Sequence, residues 1–156
     1  MNKIWLIYFL VVIILFTSSC RDEFTICNLS KEVKFNAGFY EKNAVSDIAK
    51  LAPNLTINAL RDTAIINGLS NVQVFSLPLN NLVDTAKFVV SVSNNKPKDT
   101  IKIIYTSQSV LLSVNCGNII NYNISKILFT KNTLDTVKIL NPTVNSGLLQ
   151  NAKLYF

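Results

Sequence analysis

Short runs of alternating apolar and polar residues are the feature that most constrains the fold of this chain. Val33–Phe39 and Leu55–Ala59 alternate with period two, which is the pattern of a strand with one buried face. Similar runs recur at roughly 10–20-residue spacing up to the C-terminus, separated by residues that favour turns. Together they predict about nine strands: 33–39, 55–59, 72–77, 87–92, 101–105, 110–114, 123–129, 136–140 and 152–156.

Turn residues separate several of these predicted strands. Asn67–Gly68 and Asn145–Gly147 contain residues that tolerate positive φ. Pro78 ends one strand because it has no N–H for the ladder. Residues 94–99 are predicted to form a hairpin loop between two strands. Only Ala44–Ala52 favours a short helix, since its apolar residues recur at helical spacing and a proline follows.

This pattern predicts an all-β fold. Short strands, frequent turns and at most one short helix are typical of an antiparallel β-sandwich, immunoglobulin-like or related. The even mixture of Ile, Val and Leu with Lys and Asn suits sheets with one face in water. A small β-barrel is the alternative architecture, and the pattern does not separate the two.

The N-terminal residues have the pattern of a secretory signal. Lys3 is positively charged, an unbroken apolar run extends over Ile4–Phe16, and residues 17–19 are small and polar. A signal core has roughly 7–15 apolar residues, whereas a membrane-spanning helix needs about 20. Residues 1–19 are therefore predicted to be a signal peptide, with an uncleaved anchor helix as the alternative.

Cys20 follows the small residues Ser18 and Ser19 directly. This arrangement resembles the lipobox of bacterial lipoproteins, which implies cleavage before Cys20 and acylation of its thiol, so that the acyl chains hold the protein on a membrane. Arg21–Glu23 resembles the acidic signal that Bacteroidetes lipoproteins use to reach the outer face of the outer membrane. The resemblance implies an outer-membrane location, at the cell surface or on the periplasmic face. Residues 20–30 are then a tether and residues 31–156 a single β-sandwich domain.

The other two cysteines are Cys27 and Cys116. If Cys20 is acylated, these two remain, and their number allows one disulfide in an oxidising compartment. Two buried free thiols are the alternative. The sequence favours a Cys27–Cys116 disulfide that ties the end of the tether to the domain.

Composition excludes several classes of function. The chain has no histidine, which removes the Ser-His-Asp triad, the Cys-His pair and imidazole metal sites. No catalytic, metal or cofactor-binding constellation is found, so the protein is not expected to be an enzyme or to need a cofactor. The net charge is +6, but the lysines are scattered. Anionic lipid head groups are therefore a better expected partner than nucleic acid.

Four Asp-Thr pairs occur at irregular spacing: Asp62–Thr63, Asp84–Thr85, Asp99–Thr100 and Asp135–Thr136. Asp can accept hydrogen bonds from the backbone of a turn, and Thr favours the strand that follows. A calcium site would need several oxygen ligands within a few residues, whereas each of these aspartates stands alone. The pairs are therefore predicted to mark strand entries.

Several short features occur in a fixed order along nearly the whole chain after residue 19. They are Cys20 with acidic residues after it, Cys27, Gly38–Glu41, Leu77–Leu79, Asp84–Thr85 before Lys87–Phe88, Asp99–Ile101 before Tyr105, Cys116–Gly117 after Ser113, and Ala152–Phe156. In this order they resemble the short Bacteroidetes lipoproteins grouped as domain of unknown function 6452. That family has no known activity, so the resemblance implies a location and a fold only.

The expected function is that of a lipid-anchored envelope lipoprotein with a non-catalytic β-domain that binds, assembles or supports other envelope components. Aromatic residues that could contribute to an exposed binding patch are Phe39, Tyr40, Tyr105, Tyr122 and Tyr155, although each is individually more typical of core packing. A glycan-binding module at the cell surface is the alternative, with tyrosines stacked on sugar rings. A hydrolase that works without histidine is less favoured.

Overall fold

The structure, a computed structural model, describes Cys27 and residues 30–43, 46–59, 63–147 and 149–156. These residues contain eleven strands and no helix. The strands are β1 (Lys34–Lys42), β2 (Asp47–Ala49), β3 (Leu55–Ala59), β4 (Ala64–Leu69), β5 (Val74–Pro78), β6 (Thr85–Ser91), β7 (Asp99–Ser113), β8 (Gly117–Phe129), β9 (Thr136–Ile139), β10 (Thr143–Val144) and β11 (Ala152–Tyr155).

The strands form two sheets. In the first sheet, β11 lies between β9 and β1, and the other edge of β1 pairs with β5 and then with β2. The second sheet has the order β10-β8-β7-β6-β3-β4. One apolar core includes side chains from both sheets, among them Phe35, Phe39, Leu77 and Leu154 from the first and Ile57, Phe88, Ile103 and Ile124 from the second. The architecture is a β-sandwich, as the alternating pattern predicted.

One strand pair departs from the antiparallel prediction. β1 and β11, the first and last strands, pair in parallel, with Ala37 opposite Ala152 and Tyr40 opposite Tyr155. All other pairs are antiparallel. The C-terminal strand is thus an interior strand of the first sheet. Its side chains Ala152 and Leu154 are almost fully buried because they face the core.

The predicted helix over Ala44–Ala52 is wrong. Asp47–Ala49 forms the short strand β2, which pairs with Tyr40–Lys42 of β1. The apolar residues have helical spacing, but the segment forms a strand because the backbone N–H and C=O groups at the end of β1 require partners. Ala52 is buried and bridges to Val72, which holds the segment in an extended form. Residues 44 and 45 lie outside the described residues.

β7 and β8 form a hairpin longer than the sequence predicted. The runs 101–105 and 110–114 belong to one strand, because the polar residues between them pair continuously with β8. β8 likewise begins at Gly117 rather than at Asn123. The fusion reduces the nine predicted strands to eight, and the additional short strands β2, β4 and β10 bring the number to eleven.

The turn predicted at Asn67–Gly68 is a bulge inside β4. Gly68 has a φ of 63°, so the need for a left-handed residue is confirmed. The register with β3 shifts here, from Leu55 opposite Leu69 to Ile57 opposite Ile66. Asn145–Gly147 does form a turn, in which the Gly147 N–H donates to Asn145 Oδ1 at 2.9 Å.

Candidate functional site

The β7–β8 hairpin extends beyond the second sheet. β6 pairs with β7 only as far as Ile104, and β10 pairs with β8 only at Tyr122 and Asn123. Residues 106–121 therefore form a two-stranded ribbon, which we call the hairpin ribbon. Its end, Val110–Gly117, is called the hairpin tip.

A disulfide ties the N-terminal region to the hairpin tip. Cys27 and Cys116 are bonded, with their Cα atoms 5.0 Å apart, as the sequence favoured. Cys116 is buried, and its N–H donates to Ser113 Oγ at 3.0 Å. The loop closed by this bond spans a separation of 89 residues. Cys20, the predicted acylation site, lies outside the described residues.

The hairpin tip exposes apolar side chains. Val114 is 91% exposed and Leu111 is 63% exposed, while Val110 and Ile119 oppose each other across the two strands. No Asp, Glu, Lys or Arg occurs anywhere in the hairpin ribbon, although 15% of the chain is charged. Exposed apolar residues that cluster without charges are typical of an interaction surface. The sequence analysis did not predict this surface. The feature that could have indicated it is the absence of charged residues over Thr106–Asn121.

Two tyrosines fix a loop against the base of the hairpin ribbon. The rings of Tyr105 and Tyr122 meet edge to face, with centroids 5.3 Å apart. The Tyr105 hydroxyl donates to the Asn80 carbonyl, and the Tyr122 hydroxyl donates to the Leu79 carbonyl, each at 3.0 Å. Burial raises the pKa of both phenols. These contacts position the loop after β5.

A cleft of about 570 Å³ separates this loop from the hairpin base. It is lined by Asn81–Asp84 on one side and Tyr105–Ser107 on the other. Leu82 is 85% exposed at its rim. A smaller hollow of about 310 Å³ adjoins it and shares Val83 and Tyr105. The cleft falls in the usual size range of ligand pockets, roughly 300–1,000 Å³, but it has a single carboxylate and offers binding surface rather than acid-base chemistry.

A polar cluster links β2 to β11 across β1. Lys153 Nζ and the Tyr155 hydroxyl both donate to Asp47 Oδ2 at 2.9 Å. The hydrogen bonds from Lys153 and Tyr155 lower the pKa of Asp47, and the Asp47 carboxylate in turn raises the pKa of Lys153. The neighbouring hollow, about 280 Å³, includes Lys42 and Lys138. The cluster thus ties the edge strand β2 to β11 across β1.

The aromatic residues singled out in the sequence are mainly packing residues. Phe39, Tyr105, Tyr122 and Tyr155 are buried, and Tyr40 is half-buried. The Tyr105–Tyr122 rings meet edge to face, and those of Tyr40 and Tyr155 are tilted by 44°. Neither pair forms the coplanar exposed platform that sugar stacking requires.

Three Asp-Thr pairs mark strand entries, as predicted. Thr85, Asp99 and Thr136 begin β6, β7 and β9. Asp62 lies outside the described residues. Among the residues that are described, no three His, Cys, Asp or Glu side chains are grouped closely enough to hold a metal ion. That part of the chain also has no helix with the length and apolar character needed to cross a bilayer.

The fold and this end of the molecule define a class: a β-sandwich with a long hairpin whose tip is disulfide-bonded to the segment before the first strand. Comparison with protein families identifies the family of the chain. Residues 54–156 match the family of unknown function DUF6452, and the chain belongs to that family. The match begins just before β3, so Cys20, Cys27 and Gly38–Glu41 lie outside it. Neither the curated proteins nor the solved structures include a match to this chain.

Proposed function

We propose that this protein is a lipid-anchored envelope lipoprotein, held on the outer membrane by acyl chains on Cys20 and acting through a non-catalytic binding or assembly domain. The signal-like residues 1–19 and the lipobox-like sequence ending at Cys20 support the anchor. The resemblance to Bacteroidetes lipoproteins supports the outer membrane, at the cell surface or on its periplasmic face. Membrane and envelope protein are the proposed partners, and nucleic acid is not.

The observation on which the proposal mainly rests is the disulfide between Cys27 and the hairpin tip. Cys27 lies seven residues after Cys20, and an extended chain covers at most about 3.3–3.6 Å per residue, or roughly 25 Å here. An acylated Cys20 would therefore hold one defined end of the sandwich close to the bilayer. A disulfide at that position also suits an exported protein, because such bonds persist in oxidising compartments.

Substitution of the proposed acylation site tests the anchor. In Cys20→Ala we expect an uncleaved precursor or release from the membrane, and no acyl mass on the mature N-terminus. Cys116→Ala is the matched control, because it removes a cysteine and the disulfide but leaves the lipobox-like sequence intact. Intact mass spectrometry measures cleavage and acylation of each variant, and detergent phase partitioning measures its membrane association. Normal cleavage and membrane retention of Cys20→Ala would refute the anchor.

The cleft beside Leu82 is the proposed binding surface for an envelope protein. It combines an exposed apolar rim with the amide and carboxylate groups of Asn81 and Asp84. A photoreactive amino acid at position 82 should crosslink to a reproducible envelope protein in cells, whereas the same residue at position 128, on the far part of β8, should not. Equal crosslinking from both positions, or none from 82, would count against the cleft.

A further inference from the structure

We propose that the hairpin tip, Val110–Gly117, is a second membrane contact that inserts into the headgroup region of the bilayer beside the acyl anchor. This inference rests on the proposed anchoring at Cys20 and adds an orientation to it. The exposed apolar side chains of the tip thus contact the lipid bilayer.

Composition and exposure make the hairpin tip suited to lipid. Val114 and Leu111 expose 91% and 63% of their surface, and both are large apolar side chains. The uncharged interval extends over Thr106–Asn121, so insertion would bury no ionised side chain from the ribbon. Apart from its Val, Leu and Ile residues and the disulfide-bonded Cys116, the ribbon consists of Ser, Thr, Asn, Gln and Gly, whose hydroxyl, amide and backbone groups can hydrogen-bond with head groups. Burial of charged groups is the main cost of entering a membrane interface, and the ribbon avoids it.

The position of the tip argues for lipid rather than for another partner. Cys27 is bonded to Cys116 within the tip, and it lies only seven positions after Cys20 in the sequence. If Cys20 is in the bilayer, the tip is within roughly 25–30 Å of the surface, whatever path those residues take.

The backbone limits how deep the tip can enter. A two-stranded ribbon leaves N–H and C=O groups unpaired along its outer edges, and these cannot be satisfied in hydrocarbon. Insertion must therefore be shallow, at the level of interfacial segments, about 5–10 Å into the headgroup and acyl boundary. Val114 at the turn and Leu111 behind it are placed for such a depth.

Tryptophan scanning of the full protein tests this orientation. The chain contains one tryptophan, Trp5, within the predicted signal, so the mature protein has none and a new tryptophan is a unique reporter. Leu111→Trp places it near the tip. Leu128→Trp is the matched control, because Leu128 is also exposed on the hairpin, 40%, but lies roughly 30 Å away along the strand. Val114→Trp is a second tip variant should Leu111→Trp unfold.

Each variant is purified in its native acylated form and reconstituted into vesicles of phosphatidylethanolamine and phosphatidylglycerol, with or without acyl chains brominated near the head group. We expect the tip tryptophan to shift to shorter wavelength and to lose roughly half of its emission to the brominated lipid, because residues at interfacial depth lie about 5–10 Å into the boundary. The tryptophan at 128 should show neither change. Vesicle flotation and the N-terminal mass are measured on the same samples.

The outcomes separate the inference from the proposed anchor. Acylated protein that floats with vesicles while neither tryptophan is quenched overturns the tip contact and leaves the anchor standing; a tip covered by another protein or by a second copy would give this result. Quenching at both positions also overturns the inference, because the domain would then lie on its side. Protein that lacks acyl groups and does not float overturns the anchor, and with it the inference.

Discussion

At the residue scale, Asp99 forms the most complete set of buried polar contacts in the described part of the chain. It is 2% exposed. Its Oδ1 accepts from Thr130 Oγ1 at 2.7 Å and from the Asn132 N–H at 2.8 Å, and its Oδ2 accepts from the N–H groups of Thr133 and Leu134 at 2.8 Å each. This carboxylate thus fixes the connection between β8 and β9 at the start of β7.

Asp99→Asn should therefore destabilise the fold. The amide keeps the shape but loses the charge and turns an NH₂ group toward backbone N–H donors, so we expect a loss on the order of 3 kcal/mol in the free energy of unfolding. Asp135→Asn is the matched control, since Asp135 is also followed by a threonine at a strand entry but is exposed; it should change stability by less than about 0.5 kcal/mol. Urea unfolding measures both, and equal effects would contradict this role of Asp99.

The same contacts predict an acid-sensitive contribution to stability. Burial raises the pKa of Asp99, but the hydrogen bonds from Asn132, Thr130, Leu134 and Thr133 outweigh it and hold the pKa below its ordinary value of 3.8. A lowered folded-state pKa contributes stability that is present above the unfolded value and is lost as pH falls through the folded value. The stability difference between wild type and Asp99→Asn should therefore be constant near neutral pH and shrink below about pH 4. Urea midpoints measured across this range test it; a difference that stays constant in acid would contradict it.

Sequence reasoning identified Asp99 as a strand-entry residue but not its partners. The Asp-Thr pattern is local, and turn chemistry explains it. The donors are residues 130–134, and they come close only because β8 returns antiparallel to β7 with a register that places Ile101 opposite Phe129. A register depends on the packing of both strands, which no short motif contains.

At the element scale, the β7–β8 hairpin shows where patterns succeed and fail. Its alternating inner half was predicted, because Ile101, Ile103 and Tyr105 face the core. The sequence pattern divided β7 into two predicted strands, 101–105 and 110–114, because the exposed polar run Thr106–Ser109 between them resembles a loop. β2 was mistaken for a helix for a related reason: all three of its residues are exposed, and only its pairing with β1 makes it a strand.

The Cys27–Cys116 disulfide attaches this hairpin covalently to the segment before β1, and its removal should lower the free energy of unfolding. In the chain-entropy model, a bond that closes a loop of 89 residues contributes about 4–5 kcal/mol. Reduction of the wild type should therefore lower its free energy of unfolding by up to about 5 kcal/mol. The Cys27→Ser/Cys116→Ser double variant should have that lower stability from the start and should not respond to reductant. Urea unfolding with and without reductant measures this, and a wild type indifferent to reductant would contradict it.

At the scale of the whole molecule, the all-β class could be predicted and the strand order could not. Alternation along nearly every strand requires sheets packed around a shared core, so the all-β class follows from local pattern, whereas the choice between sandwich and barrel does not. The parallel pairing of β1 with β11 joins residues more than a hundred positions apart, for example Ala37 with Ala152, and no local signal specifies it. The cleft is equally non-local, because it arises where the loop after β5 meets the middle of β7.

Because β1 and β11 run parallel, the start of β1 and the end of β11 lie at opposite ends of the first sheet. Lys34 at the start of β1 pairs with Pro78, close to the loop held by the tyrosines at the hairpin base. The C-terminal residue Phe156 lies near the start of β7. Lys96, in the loop just before β7, places its Nζ 5.6 Å from the centroid of the Phe156 ring. The hairpin tip and the C-terminus therefore lie towards opposite ends of β7, whose fully extended length is roughly 45 Å.

The proposed anchor at Cys20 and the proposed membrane contact of the hairpin tip together predict an upright domain whose C-terminus points away from the bilayer. A fluorophore attached after Phe156 should transfer little energy to a dye on the lipid head groups of vesicles carrying the acylated protein. The same fluorophore, introduced as a non-canonical amino acid at position 114, should transfer strongly, because the two positions lie towards opposite ends of β7, whose fully extended length is roughly 45 Å, and resonance transfer falls steeply with distance. Unacylated Cys20→Ala protein gives the background. Similar transfer from both positions would mean that the sandwich lies along the membrane and would contradict the upright arrangement.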